Sequence, residues 1–452
     1  MVRTGAAGVL EMAMTAGDRM DGPAQGEAPR FAVHPLRAAV LGEVHARPFQ
    51  LIEPPRTVLH LAFLTDAAGI AAERVLLSEM STRLGLPGPG AEARHVAIPV
   101  LGGTLRWEQH SEFSTWTFDV RWSARTLPPH PFGPGFRQPG PLMVATRLDL
   151  LPEPADLEAA LADFDPVSLC VVRVVDGNAV AATDFREDAD GFTRYRLFDC
   201  GLAPARAGAT VQRLLEIETY RTLALLGLPE AQRLGPSVRR IEEGLAHASA
   251  AMRESKGLEN DSRLLDELSE YAASLEADVA ASAYRFGATR AYYGIVRDRL
   301  DSVREERIAA YSSISAFLQR RIGPAMRTCQ AIEDRQSQLA TKLARATSLL
   351  RTRVDVEIEQ QNRNLLRSMN LRARMQYRLQ QTVEGLSIAA VSYYVVSLVA
   401  YLAKGAKDAG LPMPEPSVAA AIAVVPVMLI LWLVVRRIRR RHADEDRGDG
   451  DA

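Results

Sequence analysis

Short runs of apolar residues between positions 57 and 198 predict a set of β-strands. The run Thr57–Leu64 (TVLHLAFL) lies between a pair of prolines and a Thr-Asp pair, which is typical of a buried strand. On both sides of His110-Ser111, apolar and polar residues alternate as they do in an antiparallel hairpin. Further strands are predicted at 94–101, 144–150, 168–175, 179–185 and 192–198, and helices at 68–84 and 155–164. The pattern predicts an α+β domain with a largely antiparallel sheet over residues 31–205, and a ferredoxin-like split arrangement fits it best.

Helical periodicity replaces this pattern from residue 206 to residue 383. Helices are predicted at 207–225, 229–253 and 262–319, and Gly323-Pro324 predicts a turn after the last of them. In the next helix Leu343, Val354 and Leu365 recur every eleven residues, which favours a straight or slightly right-handed, coiled-coil-like stripe. We therefore expect a long helical stalk that buries this stripe against the preceding helix, a second copy of the chain, or both.

Two apolar segments near the C-terminus, at about 386–402 and 418–435, contain no charged residue. Each has roughly 17–18 residues, the lower limit for a helix that crosses a hydrocarbon core of about 30 Å. A short polar connection with glycine and proline separates them. We expect a C-terminal two-helix transmembrane hairpin within residues 384–436.

The positions of the arginines predict how this hairpin is oriented. Only Lys404 and Lys407 lie in the connection, where Asp408 and Glu415 offset them. The flanking arginines are Arg363, Arg367, Arg372, Arg374 and Arg378 before the first segment, and Arg436, Arg437, Arg439, Arg440 and Arg441 after the second. Cytoplasmic flanks carry an excess of Lys and Arg. We therefore expect a multi-pass protein of the inner (cytoplasmic) membrane with both termini in the cytoplasm, ending in a basic and then acidic tail over residues 437–452.

Composition excludes several classes of function. Lys and Arg number 54 against 55 Asp and Glu, so the net charge of -1 does not indicate a nucleic-acid partner. The basic flanks are instead explained by anionic lipid headgroups of a bilayer. Three widely spaced cysteines form neither a disulfide framework nor a zinc-ribbon motif, as expected in a reducing cytoplasm. Residues 1–30 lack the apolar core of a secretory signal and are expected to be a disordered leader. No phosphate-binding loop, dinucleotide motif or nucleophile elbow indicates a cofactor or a hydrolase.

Several motifs occur together along the chain. They are His34-Pro35-Leu36-Arg37, EVHARP at 43–48, LRWE at 105–108, LEIETYR at 215–221 and QQTVEGLS at 380–387. With them the chain resembles, over nearly its whole length after residue 30, a bacterial family of uncharacterised membrane-anchored proteins known as a domain of unknown function. The resemblance implies an inner-membrane location and supplies no activity, cofactor or catalytic residue. The order of elements is also similar to that of CorA-type magnesium channels, although their Gly-Met-Asn signature is replaced here by Ala403-Lys404-Gly405.

Glu43, His45 and Arg47 are, by residue type, the cluster in the sequence that most resembles a binding or catalytic site. Three further residues, His60 on a predicted strand and Glu108 and His110 near the hairpin turn, are candidates to converge on it. Three interpretations remain open. The residues are a structural hydrogen-bond network, a pocket for a small anionic ligand, or a zinc, manganese or catalytic site.

A second group of candidates lies where the stalk meets the first apolar segment. Placing the carboxylate of Glu384 at membrane depth would cost free energy unless the side chain faces a pore, a partner helix or the headgroups. Asn370 and Ser387 flank it and are candidates for a membrane entry or a pore lining. In the LEIETYR motif, Glu216, Glu218 and Arg221 predict an ion pair on a helix surface or a contact with the α+β domain.

These observations favour a non-enzymatic, membrane-anchored, cytoplasmic-facing protein that acts as a homo-oligomeric scaffold or sensor. Its partner would be a small anionic ligand or another protein. One alternative is a divergent CorA-like cation channel whose first span lines the pore. A third hypothesis is a metal-dependent enzyme that uses Glu43 and His45.

Overall fold

A computed structural model describes residues 31–37, 40–41, 50–90, 93–123, 127–133, 135–255, 257–410, 412 and 414–448. The strands are β1 (Arg56–Leu64), β2 (His95–Val100), β3 (Gly103–Gln109), β4 (Phe113–Arg121), β5 (Leu142–Pro152), β6 (Cys170–Val174), β7 (Ala179–Glu187), β8 (Thr193–Asp199) and β9 (Glu306–Arg307). The helices are α1 (Ala67–Arg83), α2 (Leu157–Ala160), α3 (Pro204–Ala224), α4 (Gly227–Glu254), α5 (Leu258–Ser302), α6 (Ile314–Asp408) and α7 (Pro416–Gly448). The predicted leader at 1–30 and the end of the tail lie outside these residues.

The strands form one sheet in the order β2-β3-β4-β1-β5-β8-β7-β6-β9. All neighbouring strands are antiparallel except β5 and β8, which are parallel. The α+β class with a largely antiparallel sheet is therefore confirmed. The ferredoxin-like arrangement is wrong, because that fold has a four-stranded sheet and this one continues to nine strands in a different order.

Both faces of the sheet are covered, which explains why β1 is mostly apolar and why its interior residues are all buried. On one face Val58, Leu148 and Leu197 pack against Leu214 of α3 and Phe317 of α6. On the other face the core consists mainly of aromatic and aliphatic side chains of β1, β3 and β4, together with α1: Leu59, Leu61, Phe63, Leu77, Trp107, Trp116 and Phe118. The sheet thus separates two apolar cores.

The predicted helix at 262–319 is wrong, because α5 ends at Ser302 and α6 begins at Ile314. Between them β9 pairs with β6, and Val175 N–H donates to Val303 O over 3.0 Å. These contacts with the sheet stop the helix. The predicted turn at Gly323-Pro324 is also wrong, since α6 continues through both residues. Pro324 is exposed, so water can satisfy the carbonyl that loses its helical partner.

The chain divides into two compact units, Met1–Glu242 with Ser274–Ala340, and Glu243–Ala273 with Thr341–Ala452. The second unit is helical. Within it Gly244 of α4 lies so close to Tyr271 of α5 that an added Cβ would meet the ring at 2.4 Å. Arg353 of α6 donates to the carbonyl of Met252 over 2.7 Å, so α6 also contacts α4 in this unit.

Two helices, α6 and α7, each contain a stretch long and apolar enough to cross a membrane. One stretch lies within Ile314–Asp408 and the other is Pro416–Arg437. The predicted segments 386–402 and 418–435 fall inside these helices. Gly410, with a φ of 81°, follows the end of α6, and the carbonyl of Glu415 accepts the first hydrogen bonds of α7. Two membrane-compatible helices joined by a short connection are weak evidence for association with a membrane.

Candidate functional site

A small cavity of about 50 Å³ lies in the first unit, between α3 and the strands β1, β3 and β4. Its lining residues are His60, Arg106, Glu108, His110, Phe113, Thr115, Thr117, Gln212, Leu215, Glu216, Thr219 and Tyr220. A single water needs roughly 10–15 Å³ of such space, so the cavity can hold a few waters or one small ion. Most of its lining side chains are polar or charged.

The register of the strands brings the polar side chains together. Arg106 on β3 is paired with Thr117 on β4, and Thr117 is paired with His60 on β1. Alternate residues of a strand face the same side, so Glu108 lies on the same face as Arg106. On α3, Gln212, Glu216 and Thr219 are spaced by four and three residues and share one helical face toward the sheet.

His60 connects three elements of the fold. Its Nδ1 lies 2.8 Å from Thr117 Oγ1 and its Nε2 lies 3.0 Å from Thr219 Oγ1. Because Thr219 donates its only hydroxyl proton to Leu215 O, it must accept from Nε2–H of His60, and Nδ1 then accepts from Thr117. Burial, together with the positive charge of Arg106, lowers the pKa of His60 to about 3. The imidazole is neutral at physiological pH, and both of its nitrogens are occupied by structural hydrogen bonds.

Arg106 provides the cationic group of the cavity. Burial lowers the pKa of its guanidinium, while the negative charges of Glu108 and Asp119 raise it. An arginine remains charged at neutral pH in proteins. The carboxylate of Asp119 already has another partner, because Arg56 donates to both of its oxygens over 2.9 and 2.6 Å. In the part of the chain that the structure describes, the buried Nε of Arg106 has no hydrogen-bond acceptor. This donor can therefore take an acceptor from water or from a small ligand.

On the α3 side of the cavity, the negative charge of Glu216 is largely compensated by its partners. Gln212 Nε2 donates to Glu216 Oε1 over 2.9 Å, and Arg299 of α5 forms an ion pair with the other oxygen of Glu216. His110 stacks on Phe113 with ring centroids 4.2 Å apart and planes 7° from parallel. Both stacked residues belong to the lining of the cavity, and Phe113 contributes apolar surface to it.

Three of the residues singled out in the sequence, His60, Glu108 and His110, line this one cavity. Glu43, His45 and Arg47 lie outside the described residues. The membrane-entry candidates are not among the lining residues; they lie on α6 in the second unit, where Asn370 and Ser387 are exposed and Glu384 is half-buried. No group of three or more His, Cys, Asp or Glu side chains among the described residues is arranged to hold a metal ion.

Sequence reasoning missed Arg106, Gln212 and Glu216 as lining residues. Arg106 and Glu108 are two residues apart on the predicted strand before the His110-Ser111 turn, and this spacing was the signal that could have found Arg106. Of the two alternatives for LEIETYR, an ion pair on a helix surface or a contact with the α+β domain, the structure has the contact with the domain. Glu218, paired with Arg221, is buried and accepts a hydrogen bond of 2.8 Å from Tyr195 Oη, because this face of α3 lies against the sheet.

The chain belongs to the family described as "Protein of unknown function (DUF3422)", whose model matches residues 32–442. This match confirms the resemblance to an uncharacterised family. No curated protein and no solved structure matches the chain. The analogy to CorA-type channels is therefore without support, and the family assignment by itself carries no activity.

Proposed function

We propose that the protein is anchored in a membrane by α7 and the C-terminal part of α6, and that it serves as a homo-oligomeric sensor or scaffold with its sheet unit in the cytoplasm. The observation that carries this proposal is the exposure of large apolar side chains along both candidate spans. Leu386 of α6 and Val425 of α7 are each 72% exposed. Exposing a side chain of this size to water costs about 1.5–3 kcal/mol, and a series of them calls for an apolar solvent.

The flanks of α7 support a lipid environment. Arg436 lies over the ring of Trp432, with 4.9 Å between the guanidinium carbon and the ring centroid. Tryptophan and arginine at the end of an apolar helix match the interfacial residues of membrane spans. The arginine-rich ends and the nearly neutral connection favour a hairpin with both ends in the cytoplasm.

A second copy of the chain is the partner we propose for the stalk portion of α6. This portion exposes the apolar side chains of Leu365, Leu366, Met369, Leu371 and Met375. Arg363, Arg367 and Arg372 lie among them, so a lipid core cannot cover this surface. The same helix from another copy offers apolar residues at the same positions and so can pack against it. The protein in neutral detergent should then have the mass of a dimer or larger oligomer by light scattering. A monomer at all concentrations would contradict the oligomeric part of the proposal.

The sensory part of the proposal rests on the polar cavity. The unpaired Nε–H of Arg106 favours a small anion with an oxygen acceptor, such as a carboxylate. Titration of the full-length protein in neutral detergent with formate should raise its unfolding temperature, and Arg106→Lys should weaken that effect. The matched control Arg121→Lys, an exposed change on β4, should leave it intact. An equal response in the three proteins would contradict a ligand at this cavity.

Membrane extraction tests the anchor. The protein should stay in the membrane pellet after an alkaline carbonate wash, which removes proteins bound only by charge. Replacing Val425 and Leu429 by arginine should release it, since each charge at the centre of a span costs about 2.5–3.5 kcal/mol. The same replacement of the stalk residues Leu366 and Met369 is the control and should leave it in the pellet. Release of the unaltered protein by the wash would contradict the anchor.

A further inference from the structure

We propose that a second pocket of the first unit binds a small, soluble organic anion, a carboxylate or phosphate joined to an apolar body of about one aromatic ring. The pocket lies where the bend in β7 meets the end of α3 and the first turns of α6, and it has a volume of about 280 Å³. Small-molecule sites begin at roughly this size. Its lining residues are Ser168, Asp184, Phe185, Arg186, Arg221, Leu225, Phe317, Leu318, Arg321 and Ile322.

Two aromatic rings and two guanidinium groups contact one another at this pocket. Phe185 stacks on Phe317 with centroids 5.0 Å apart and planes 14° from parallel. Arg221 lies 4.9 Å from the centroid of Phe185, and Arg321 lies 3.8 Å from the centroid of Phe317. The contacts with the rings hold both cations beside an apolar surface.

The two other arginines of the pocket have carboxylate partners, whereas Arg321 does not. Arg221 is paired with Glu218, and Arg186 Nε lies 3.1 Å from Asp165 Oδ2. Among the residues that the structure describes, no carboxylate lies within ion-pair distance of Arg321, and its side chain is exposed. Its planar fork of N–H donors is therefore available for a carboxylate or phosphate.

The pocket also offers apolar surface beside this cation. Leu318 and Ile322 are buried residues of the first turns of α6, and Leu225 follows the end of α3. A bare inorganic anion would leave this surface in contact with water. A ligand with an anionic group and an apolar body can pair with the cation and cover the apolar surface at the same time. We therefore propose this class of ligand.

The backbone at Phe185 is strained in a way that places its ring in the pocket. Phe185 has a φ of 55°, and the pairing of β7 with β8 is irregular between Thr183 and Glu187. Two side chains hold this conformation. Thr183 Oγ1 accepts from Phe185 N–H and Asp184 Oδ1 accepts from Arg186 N–H, each over 3.1 Å. Positive φ values of bulky residues are costly and are found at functional sites.

This site is independent of the Arg106 cavity and does not rest on the proposed function. A ring-bearing anion is too large for the cavity of about 50 Å³. A variant at Arg321 and a variant at Arg106 therefore report on different sites, and either proposal can fail alone.

Calorimetric titration of the full-length protein in neutral detergent tests the inference with three probes: phenyl phosphate, inorganic phosphate and phenol. We expect phenyl phosphate to bind at least about tenfold more tightly than either fragment, because only it uses both walls. Arg321→Gln should weaken its binding about tenfold, the effect of losing a charge-assisted contact. The control Arg320→Gln removes the same charge from an exposed neighbour outside the pocket and should leave binding unchanged. Equal losses in the two variants, or no heat from phenyl phosphate at millimolar concentration, would overturn the proposal.

Discussion

His60 and Thr219, 159 positions apart in the chain, are joined by a hydrogen bond of 3.0 Å between Nε2 and Oγ1. With the bond from Thr117 to Nδ1, this contact links β1, β4 and α3 through one neutral imidazole. The fold of the first unit therefore depends on His60 remaining unprotonated.

Replacing His60 by Gln should change how stability depends on pH. The folded-state pKa of His60 is about 3, below the ordinary value of 6.5, so the unfolded state binds the proton more tightly. The stability that the neutral ring contributes is complete above about pH 6.5. It is lost at about 1.4 kcal/mol per pH unit as the pH falls toward 3. Unfolding temperatures of the detergent-solubilised protein between pH 7.5 and 5 should fall steeply for the natural chain and less steeply for His60→Gln.

The control for this measurement is His247→Gln, a change at an exposed position of α4. The unfolding temperature of this variant should fall with decreasing pH as steeply as that of the natural chain. If His60→Gln also keeps that decline, His60 is not the group whose protonation destabilises the folded protein.

Two helical glycines should respond in opposite directions to an added methyl group. A Cβ at Gly208 of α3 would lie 1.8 Å from the carbonyl oxygen of Gln50, and backbone cannot move aside cheaply. A Cβ at Gly294 of α5 would meet nothing within 4 Å. We expect Gly208→Ala to destabilise the protein by about 1–3 kcal/mol and Gly294→Ala to stabilise it by about 0.5–1 kcal/mol. Urea unfolding followed by tryptophan fluorescence measures both, and a destabilised Gly294→Ala would contradict the packing described for α5.

The buried ion pair between Glu218 and Arg221 should be worth more than an exposed pair of the same spacing. Glu218→Ala would leave the guanidinium of Arg221, only 16% exposed, without its carboxylate, and we expect a loss of about 3–5 kcal/mol. Tyr195→Phe removes only the hydrogen bond to Glu218 and should cost about 1 kcal/mol.

The matched control is Glu230→Ala, which breaks an exposed pair with Arg233 at the same spacing. Such surface pairs contribute about 0–1 kcal/mol. Urea unfolding should therefore separate Glu218→Ala clearly from Glu230→Ala. Similar losses in the two variants would show that burial adds nothing to the Glu218 pair.

The local patterns predicted the strands better than the breaks between helices. The run Thr57–Leu64 corresponds to β1 (Arg56–Leu64) because a strand buried on both faces is mostly apolar. The interruption between α5 and α6 left no such signal. It depends on pairing between Arg173 and Glu306, residues far apart in the chain. Gly323-Pro324 is the stronger local helix-breaking signal, but Pro324 is exposed, so the free energy lost with its missing helical hydrogen bond is small.

The candidate site was predictable only in part for a similar reason. His60 could be singled out because it is an ionisable residue on an apolar strand, and Glu108 and His110 because they lie near the predicted hairpin turn. Glu216 could not be assigned to the cavity, since a helix periodicity does not say which strands the helix will cover. The pocket at Phe185 depends on a positive φ and on the packing of α6, neither of which a pattern of residue types reveals.

Labelling of single cysteines in spheroplasts tests the membrane hairpin most directly. In a chain whose three native cysteines are replaced by alanine, Asp408→Cys lies at the end of α6 beside the connection and Arg367→Cys lies on the stalk. A membrane-impermeant maleimide should label Asp408→Cys in intact spheroplasts and Arg367→Cys only after lysis. Labelling of both positions in intact spheroplasts, or protection of both until lysis, would contradict a two-pass anchor with its ends in the cytoplasm.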